Sequence, residues 1–215
     1  MSLPRTPKAV VFDLDGTLID SEALVRESHF HAAKTLGYEM SDAQFLGLVG
    51  MHREANDLQL KSYYGDDFPL ELFIETTRAF VGDRSAPLKA GAIELMDTLD
   101  DLGLTYGLAT SSRRPWVERH FHTHKLAHRF RAVVTRQDVV NGKPDPEPYL
   151  KASKLLGFAP MDVLAIEDSH AGVRAAHAAG CITVMIPDLL QPDEEMRTKA
   201  RVLGSLADVQ ALFAR

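Results

Sequence analysis

The chain has 215 residues, of which 45% are hydrophobic and 25% are charged, and this composition excludes a largely disordered protein. Its formal net charge is -6 and no basic stripe is visible, so we expect no nucleic-acid partner. One cysteine, an N-terminus without a secretory h-region and the lack of an apolar run near ~18 residues favour a cytoplasmic protein without a membrane partner.

The first predicted element is a buried strand over residues 8–12, a short apolar run that contains β-branched residues. A polar segment at residues 13–17 follows it directly. Residues 20–83 then carry helical patterns, which begin with Ser21 as an N-cap and include Gly37 as a helix stop. We therefore predict a small helical bundle inserted after the first strand.

Strand and helix patterns alternate through the rest of the chain. Strands are predicted over residues 105–109, 132–135, 163–166 and 182–186, and helices over residues 87–102, 113–125 and 171–179, with a further helix whose first position is Pro146. This alternation is typical of parallel βαβ units. We predict an α/β protein in which a Rossmann-like parallel sheet core, residues 1–19 and 84–215, carries an inserted helical-bundle cap of residues 20–83.

Polar side chains follow the predicted strands, at the end where open α/β sheets bind their ligands. In chain order they are Asp13, Asp15, Thr110, Ser111, Lys143, Glu167 and Asp168. Because the carboxyl ends of parallel strands lie side by side, we expect these side chains to converge on one crevice. Four carboxylates that share a small volume repel one another unless a cation lies among them, and such an oxygen-rich set suits Mg²⁺.

The same set of residues predicts a phosphate site. Lys143 adds a positive charge, and Thr110 adds a hydroxyl donor beside the expected cation. Backbone N–H groups near Leu14 and Ser111 can face an anion. A metal, a lysine and converging donors together favour a bound phosphoryl group.

The two aspartates after the first strand take different roles in this prediction. Asp13 is the better fixed nucleophile because it is closest to the strand, and its attack on phosphorus forms an aspartyl-phosphate. Asp15, protonated beside its neighbours, gives its proton to the leaving oxygen and then takes one from water. Two easier steps thereby replace a hydrolysis that is extremely slow without a catalyst.

Residues around this set are expected to have plainer roles. Ser112 is expected to cap the helix that follows it, and Trp116 is expected to pack rather than to contact the substrate. Three histidines lie close together in the same predicted helix, where we expect a solvated face rather than a metal site. They are His120, His122 and His124.

Four segments resemble the motifs of the haloacid dehalogenase superfamily of phosphotransferases, in the branch with a helical cap after the first strand. The resemblance covers nearly the whole chain. The segments are Val10-Val11-Phe12-Asp13-Leu14-Asp15-Gly16-Thr17-Leu18, Gly107-Leu108-Ala109-Thr110-Ser111, Gly142-Lys143-Pro144-Asp145-Pro146 and Ile166-Glu167-Asp168-Ser169-His170-Ala171-Gly172-Val173.

The resemblance implies a role for the central residues of these motifs. It implies that Asp13 is the nucleophile and that Asp15 is the general acid and base. It implies that Thr110 and Lys143 hold the phosphoryl group. The implied Mg²⁺ ligands are Asp13, the backbone carbonyl of Asp15, Asp168 and, in support, Glu167.

The fourth motif is closest to the β-phosphoglucomutase-like group, which also includes many sugar-phosphate phosphatases. The segment Gly50-Met51-His52-Arg53 resembles the part of that group's cap in which an arginine contacts the distal group of the substrate. An ordinary surface arginine is the alternative for Arg53. Val25 stands where β-phosphoglucomutase has a histidine, twelve residues after the nucleophile, and therefore favours hydrolysis over the mutase reaction.

We therefore predict a Mg²⁺-dependent phosphatase that hydrolyses a small phosphorylated metabolite through an aspartyl-phosphate. A phosphosugar mutase is the first alternative. A non-catalytic phosphate-sensing or partner-binding module is the second alternative, and the complete set of nucleophile, acid/base, lysine and acidic pair speaks against it. We expect a monomer, with a dimer as the alternative.

Overall fold

The structure is a computed structural model that describes residues 3–49 and 53–213. The chain divides into two compact units, of which the first combines Met1–Asp20 with Pro87–Arg215 and the second is Ser21–Ala86. The first unit contains the sheet and the second contains helices. A capping role for the second unit stays a prediction.

Strands of the first unit form one parallel sheet, as the alternation of patterns predicts. They are β1 (Ala9–Phe12), β2 (Thr105–Ala109), β3 (Ala132–Val134), β4 (Val163–Glu167), β5 (Ile182–Met185) and β6 (Arg201–Val202). Their order across the sheet is β3-β2-β1-β4-β5-β6, and each neighbouring pair is parallel. The predicted α/β fold class is confirmed, although β6 was not predicted.

The central strands β1 and β4 are buried along their whole length. Parallel strands that are covered on both faces read as continuous apolar runs, which is why their sequences are recognisable. In the sheet register, Phe12 lies opposite Leu108 of β2 and Ile166 of β4. The residues that follow these positions therefore leave the sheet at the same edge.

The second unit consists of helices within its described residues. They are α1 (Ser21–Thr35), α2 (Asp42–Leu46), α3 (Arg53–Tyr64) and α4 (Leu70–Val81). Buried aromatic side chains fill its interior, where Phe73 contacts Phe68 and packs edge-on against His29. This unit has an apolar core of its own.

The remaining helices belong to the first unit. They are α5 (Ala92–Asp101), α6 (Arg114–Thr123), α7 (Glu147–Leu156), α8 (His170–Ala178), α9 (Glu194–Lys199) and α10 (Leu206–Ala211). Helix α8 begins at the end of β4, and the Ser169 side chain caps it by accepting from the Gly172 N–H at 3.0 Å. Within the described residues, no helix has the length and apolar character needed to span a bilayer.

The helix predicted over residues 87–102 begins later, at Ala92. The preceding backbone pairs with the segment after β1 instead: the Asp20 N–H donates to the Pro87 carbonyl at 2.8 Å, and the Lys89 N–H donates to the Leu18 carbonyl at 2.9 Å. These groups are therefore not available for helical hydrogen bonds. The prediction for residues 87–91 was wrong for this reason.

Pro146 precedes the first position of α7 instead of occupying it. The helix begins at Glu147, whose N–H donates to the Asp145 side chain at 2.9 Å. The Pro146 carbonyl accepts the first helical hydrogen bonds, from Tyr149 and Leu150. Pro146 is therefore the N-cap residue of α7, and the prediction was one residue early.

Candidate active site

Three neighbouring strands place acidic or hydroxyl side chains at one edge of the sheet. Asp13 follows β1, Thr110 follows β2 and Glu167 ends β4. The Asp13 N–H donates to the Ile166 carbonyl at 2.9 Å, so the pairing of β1 with β4 continues to the edge. The convergence expected from the sequence is present for these residues.

Lys143 links two of these carboxylates. Its Nζ atom lies 2.5 Å from Asp13 Oδ1 and also donates to Glu167 Oε1. The Lys143 side chain is 4% exposed, and the Glu167 side chain is fully buried. The Tyr149 hydroxyl completes this buried network by donating to Glu167 Oε1 at 2.7 Å.

Burial and crowding of like charges shape the electrostatics of this network. Burial raises the pKa of Asp13 to about 7, against the opposing charge of Lys143. Burial, followed by the charges of Asp13 and Glu167, raises the pKa of Asp168 well above its ordinary value. Burial also disfavours the charged form of Lys143, but the neighbouring carboxylates outweigh this effect and raise the pKa of its ammonium group.

Asp13, Glu167 and Asp168 form an acidic cluster that could hold a metal ion. One carboxylate oxygen from each residue lies within 4.8 Å of the other two. A single lysine contributes one positive charge to three acidic groups, two of which have raised pKa values. A hard divalent cation would relieve this crowding, so the donor set fits Mg²⁺.

Two glycines provide the space that the Glu167 and Asp168 side chains occupy. A Cβ atom on Gly16 would lie 2.3 Å from Asp168 Oδ2, and a Cβ atom on Gly172 would lie 1.8 Å from Glu167 Oε1. Gly16 also has a φ of 78°, in the left-handed region that favours glycine. Neither position accepts a side chain without displacing an acidic group.

The Asp15 carboxyl lies outside the cluster and has its own partners. The Ser112 hydroxyl donates to Asp15 Oδ2 at 2.5 Å, and the Trp116 indole N–H donates to Asp15 Oδ1 at 2.9 Å. Its charge nevertheless contributes to the raised pKa of Asp13, so Asp15 lies near the other three carboxylates without being one of the residues placed to share a metal ion. The expectation that Ser112 caps α6 is wrong, because its hydroxyl contacts Asp15 and α6 begins after Arg113, which makes no side-chain cap. Trp116 packs against His120 and also contacts Asp15, and the expectation that it does not contact the substrate stays a prediction.

The remaining predicted phosphate contacts lie beside β1 and β2. Thr110 is buried, and its Oγ1 atom accepts the Ser112 N–H at 3.0 Å, which leaves the hydroxyl proton available as a donor. Ser111 is exposed. Leu14 is buried, and its carbonyl accepts from the Leu18 N–H at 2.9 Å within the turn after β1.

The predicted substrate contact Arg53 is the first residue of α3. Its side chain and the preceding residues 50–52 lie outside the part of the chain that the structure describes. The role predicted for this arginine therefore stays a prediction.

The three histidines of α6 do not share one solvated face. His120 is fully buried, and its Nδ1 atom lies 2.9 Å from the Trp116 carbonyl, which requires the proton on Nδ1. Burial lowers the pKa of His120. His122 is exposed and His124 is half-buried. The expectation of a solvated face is wrong for His120. This residue lies one turn after Trp116, on the face of α6 that packs against the protein.

Sequence reasoning missed Tyr149, Ser112 and Trp116 as parts of the site. Ser112 precedes α6 and Trp116 lies in its first turn, so helical spacing does not relate the two side chains. Their position shortly after the end of β2 is the sequence signal that could have pointed to them. Tyr149 comes from α7, and its direction depends on how that helix packs, for which the sequence offers no local signal.

Comparisons with known proteins agree with this geometry. The family model described as "Haloacid dehalogenase-like hydrolase" matches residues 10–186. Validoxylamine A 7'-phosphate phosphatase from Streptomyces hygroscopicus subsp. limoneus is 33% identical over 180 residues, covering 82% of this chain and 84% of that protein. Hexitol phosphatase A from Escherichia coli (strain K12) is 30% identical over 183 residues, covering 83% and 82%.

A solved structure extends the likeness to the whole fold. The "putative beta-phosphoglucomutase" from Thermotoga maritima superposes with a TM-score of 0.82 at 25% identity, covering 95% of this chain and 97% of that one. Open parallel sheets bind their ligands beyond the carboxyl ends of the strands, and Asp13, Thr110 and Glu167 lie at those ends here. The chain belongs to the haloacid dehalogenase-like hydrolase family and is a phosphoric monoester hydrolase.

Proposed function

We propose that the protein is a Mg²⁺-dependent phosphatase that hydrolyses small phosphorylated metabolites through a phosphoryl group on Asp13. One observation carries this proposal: Lys143 Nζ lies 2.5 Å from Asp13 Oδ1 inside a buried acidic cluster. A surface ion pair would need no such burial, whereas a nucleophilic carboxylate is well served by a fixed orientation and a nearby positive charge.

The phosphoryl group of the substrate binds at the edge formed by the ends of β1 and β2. Lys143 contributes positive charge to its oxygens, and the hydroxyl groups of Thr110 and Ser111 donate hydrogen bonds to them. The backbone N–H groups near Leu14 and Ser111 face the same oxygens. This set is supported by the pairing of β1 with β2, whose ends lead into Asp13 and Thr110, and by the contact of Lys143 with Asp13.

The chemistry takes place in two steps. In the first, an Asp13 carboxylate oxygen bonds to phosphorus while the bond from phosphorus to the leaving-group oxygen breaks, and Asp15 gives its proton to that oxygen. In the second, a water oxygen bonds to phosphorus as the Asp13–phosphorus bond breaks. Asp15 takes the proton of the water, so inorganic phosphate leaves and both aspartates return to their starting states.

The metal site belongs to the same proposal. Asp13, the backbone carbonyl of Asp15 and Asp168 would hold Mg²⁺, with Glu167 in support, and the crowding of these carboxylates is the observation that favours it. When bound, Mg²⁺ supplies positive charge that neutralises the phosphoryl oxygens. The chain's own contribution is to hold the acidic groups together, with Lys143 and Tyr149 fixing Glu167.

The substrate class rests on the relatives and on the second unit. Two relatives are named as a hexitol phosphatase and as a validoxylamine A 7'-phosphate phosphatase, and these names support a sugar phosphate or a similar phosphomonoester. Residues 20–83 would act as a cap that excludes water and selects the substrate. Within this cap, Arg53 would contact the distal group of the substrate.

A phosphosugar mutase is the second candidate, and the likeness to the Thermotoga maritima protein favours it. A mutase returns the phosphoryl group of Asp13 to the sugar instead of passing it to water. Val25 occupies the position at which the resemblance expects a histidine, and this difference favours hydrolysis. Release of inorganic phosphate separates the two reactions.

The test is phosphate release from a panel of small phosphomonoesters with and without Mg²⁺. We expect metal-dependent release that the Asp13→Asn variant loses. Folded protein that binds Mg²⁺ and releases no phosphate would contradict the proposal, and a bisphosphate primer would then test the mutase. Asp15→Asn should retain substrate binding and lose turnover, which distinguishes an enzyme from a binding module.

A further inference from the structure

Each oxygen of the Asp15 carboxyl group has a hydrogen-bond donor of its own. The Trp116 indole Nε1–H donates to Oδ1 at 2.9 Å, and the Ser112 hydroxyl donates to Oδ2 at 2.5 Å. All three side chains are half-buried. The carboxyl group is therefore fixed at both oxygens, by Ser112 before α6 and by Trp116 in the first turn of α6.

The two donors differ in whether they allow a proton on the Asp15 oxygen that they contact. An indole N–H can only donate, whereas a hydroxyl group can donate or accept. Oδ1 is therefore an acceptor whether Asp15 is ionised or not, because a proton on Oδ1 would face the Trp116 N–H. A proton on Oδ2 is compatible with both partners, since the Ser112 hydroxyl can turn to accept it.

The core of the first unit fixes both donors in turn. The Trp116 carbonyl accepts from His120 Nδ1 at 2.9 Å, and the Trp116 ring lies 4.3 Å from the buried His120 imidazole, centroid to centroid. The Ser112 N–H donates to Thr110 Oγ1, and the Ser112 carbonyl accepts from the Arg136 N–H, each at 3.0 Å. The two donors are thus held by fixed neighbours.

We propose that Trp116 and Ser112 are positioning residues that hold the Asp15 carboxyl so that Oδ2 is the oxygen that carries the transferred proton. This inference rests on the proposed phosphatase reaction. When the leaving group departs, the proton on Oδ2 moves to its oxygen; when water attacks, Oδ2 receives the proton of the water. Trp116 takes no part in bond making and acts only by fixing the orientation of Asp15.

The leaving group of the substrate gives a selective test. A nitrophenolate leaves readily without a proton, whereas an alkoxide needs one. The ratio kcat/KM reports only the steps up to departure of the leaving group. In Trp116→Phe, we expect kcat/KM to fall about 10–100-fold for an alkyl phosphate, part of the range for general acid catalysis, and less than about 3-fold for p-nitrophenyl phosphate.

A double-mutant cycle separates positioning from loss of structure. If Trp116 acts through Asp15, Trp116→Phe should add no further loss for the alkyl phosphate in an Asp15→Asn background. A packing role would lower kcat/KM in both backgrounds and for both substrates. Either an equal loss on the two substrates or a loss that persists in Asp15→Asn would overturn the proposal.

Fluorescence tests the contact without turnover. Trp116 is the one tryptophan of the chain, so the intrinsic tryptophan emission reports on its indole. Asp15→Asn should shift this emission, because a carboxylate acceptor is replaced by an amide. The control Asp162→Asn changes an aspartate that pairs with Lys8 at the start of β4, and the emission should stay unchanged. An emission that is the same in Asp15→Asn and in the parent would contradict the contact.

The two proposals fail in different ways. A parent protein that shows no Mg²⁺-dependent turnover of either substrate would refute the proposed function. An active parent whose Trp116→Phe variant loses activity equally on both substrates would refute only the positioning role.

Discussion

Lys143 Nζ and Asp13 Oδ1 lie 2.5 Å apart in a site where both side chains are less than a tenth exposed. Removing water from two charged groups is costly, and the cost is offset only when the pair has good geometry and further hydrogen bonds. Here Glu167 supplies a second contact to Lys143. The pair is a costly arrangement for stability alone, which is consistent with a catalytic purpose.

Replacing Lys143 should therefore affect both stability and activity. In Lys143→Met, Asp13 and Glu167 lose their shared cation, and we expect a loss of about 3–5 kcal/mol in the free energy of unfolding. Phosphate release should fall about 10²–10³-fold, as for loss of a charged group that stabilises the transition state. Urea unfolding and phosphate assays measure the two effects.

The matched control is Lys8→Met. Lys8 pairs with Asp162 at 2.9 Å but is 62% exposed, so its loss should cost less than about 1 kcal/mol and leave phosphate release unchanged. Equal effects of the two substitutions would contradict the importance of the buried pair.

Tyr149→Phe removes one hydroxyl group from the buried network. The hydroxyl donates to Glu167 Oε1 at 2.7 Å, and we expect its loss to cost about 1–3 kcal/mol. Tyr64→Phe is the control, since the Tyr64 hydroxyl donates to the Glu39 carbonyl at an exposed position and should matter less. Chemical unfolding of both variants checks the prediction, and it fails if Tyr64→Phe is the more destabilised.

Gly172→Ala should reverse the usual effect of this substitution. Within a helix, alanine is normally about 0.5–1 kcal/mol more favourable than glycine. In α8 the new Cβ atom would lie 1.8 Å from Glu167 Oε1, so Glu167 must move away from Lys143. We expect a loss of about 1–3 kcal/mol together with reduced phosphate release.

Ala178→Gly in the same helix is the control for this substitution. Ala178 is exposed, so its replacement should show the ordinary preference for alanine. If Gly172→Ala proves stabilising and fully active, Glu167 does not need its observed position.

Mg²⁺ affinity should rise with pH. Burial raises the pKa of Asp13 to about 7 in the metal-free protein, and the pKa of Asp168 is raised as well. Because Mg²⁺ binds the ionised carboxylates, binding should release protons below about pH 7, and affinity should increase as the pH rises toward neutrality. Calorimetric titrations in two buffers with different ionisation heats measure this proton release, and its absence at pH 6 would contradict the raised pKa values.

The raised pKa of Asp13 also determines how the stability of the metal-free protein depends on pH. The pKa of Asp13 is higher in the folded protein than its ordinary value of 3.8, so the folded state binds more protons between about pH 4 and pH 7. Its contribution to stability is therefore lost as the pH rises through this range. Added Mg²⁺ should reduce the loss, and Asp13→Asn should remove it.

The sequence predicts those features that depend on local pattern. Strand β1 and the two aspartates after it are recognisable because a strand covered on both faces must be apolar, and the polar residues mark where it ends. The elements that were missed are short: β6 has 2 residues, and α9 and α10 have 6 residues each. Segments of this length carry too little periodicity for a prediction.

The site is less predictable where side-chain direction decides a role. Ser112 was expected to cap a helix, but α6 begins at Arg114 and the Ser112 hydroxyl donates to Asp15 instead. Trp116 packs against His120 as expected and in addition donates to Asp15. Whether Ser112 caps the helix or reaches the site depends on the residue at which the helix begins, and sequence patterns predict a helix start only to within one or two residues.

The measurement that tests the central claim most directly is capture of the phosphoryl group on Asp13. The Asp15→Asn variant should form the aspartyl-phosphate from p-nitrophenyl phosphate and Mg²⁺ but hydrolyse it slowly, because it lacks the base for water. We predict a burst of about one nitrophenol per protein, and a phosphoryl group on the peptide that contains Asp13 after acid quenching. Steady turnover without a burst, with Asp13 unmodified, would contradict the account.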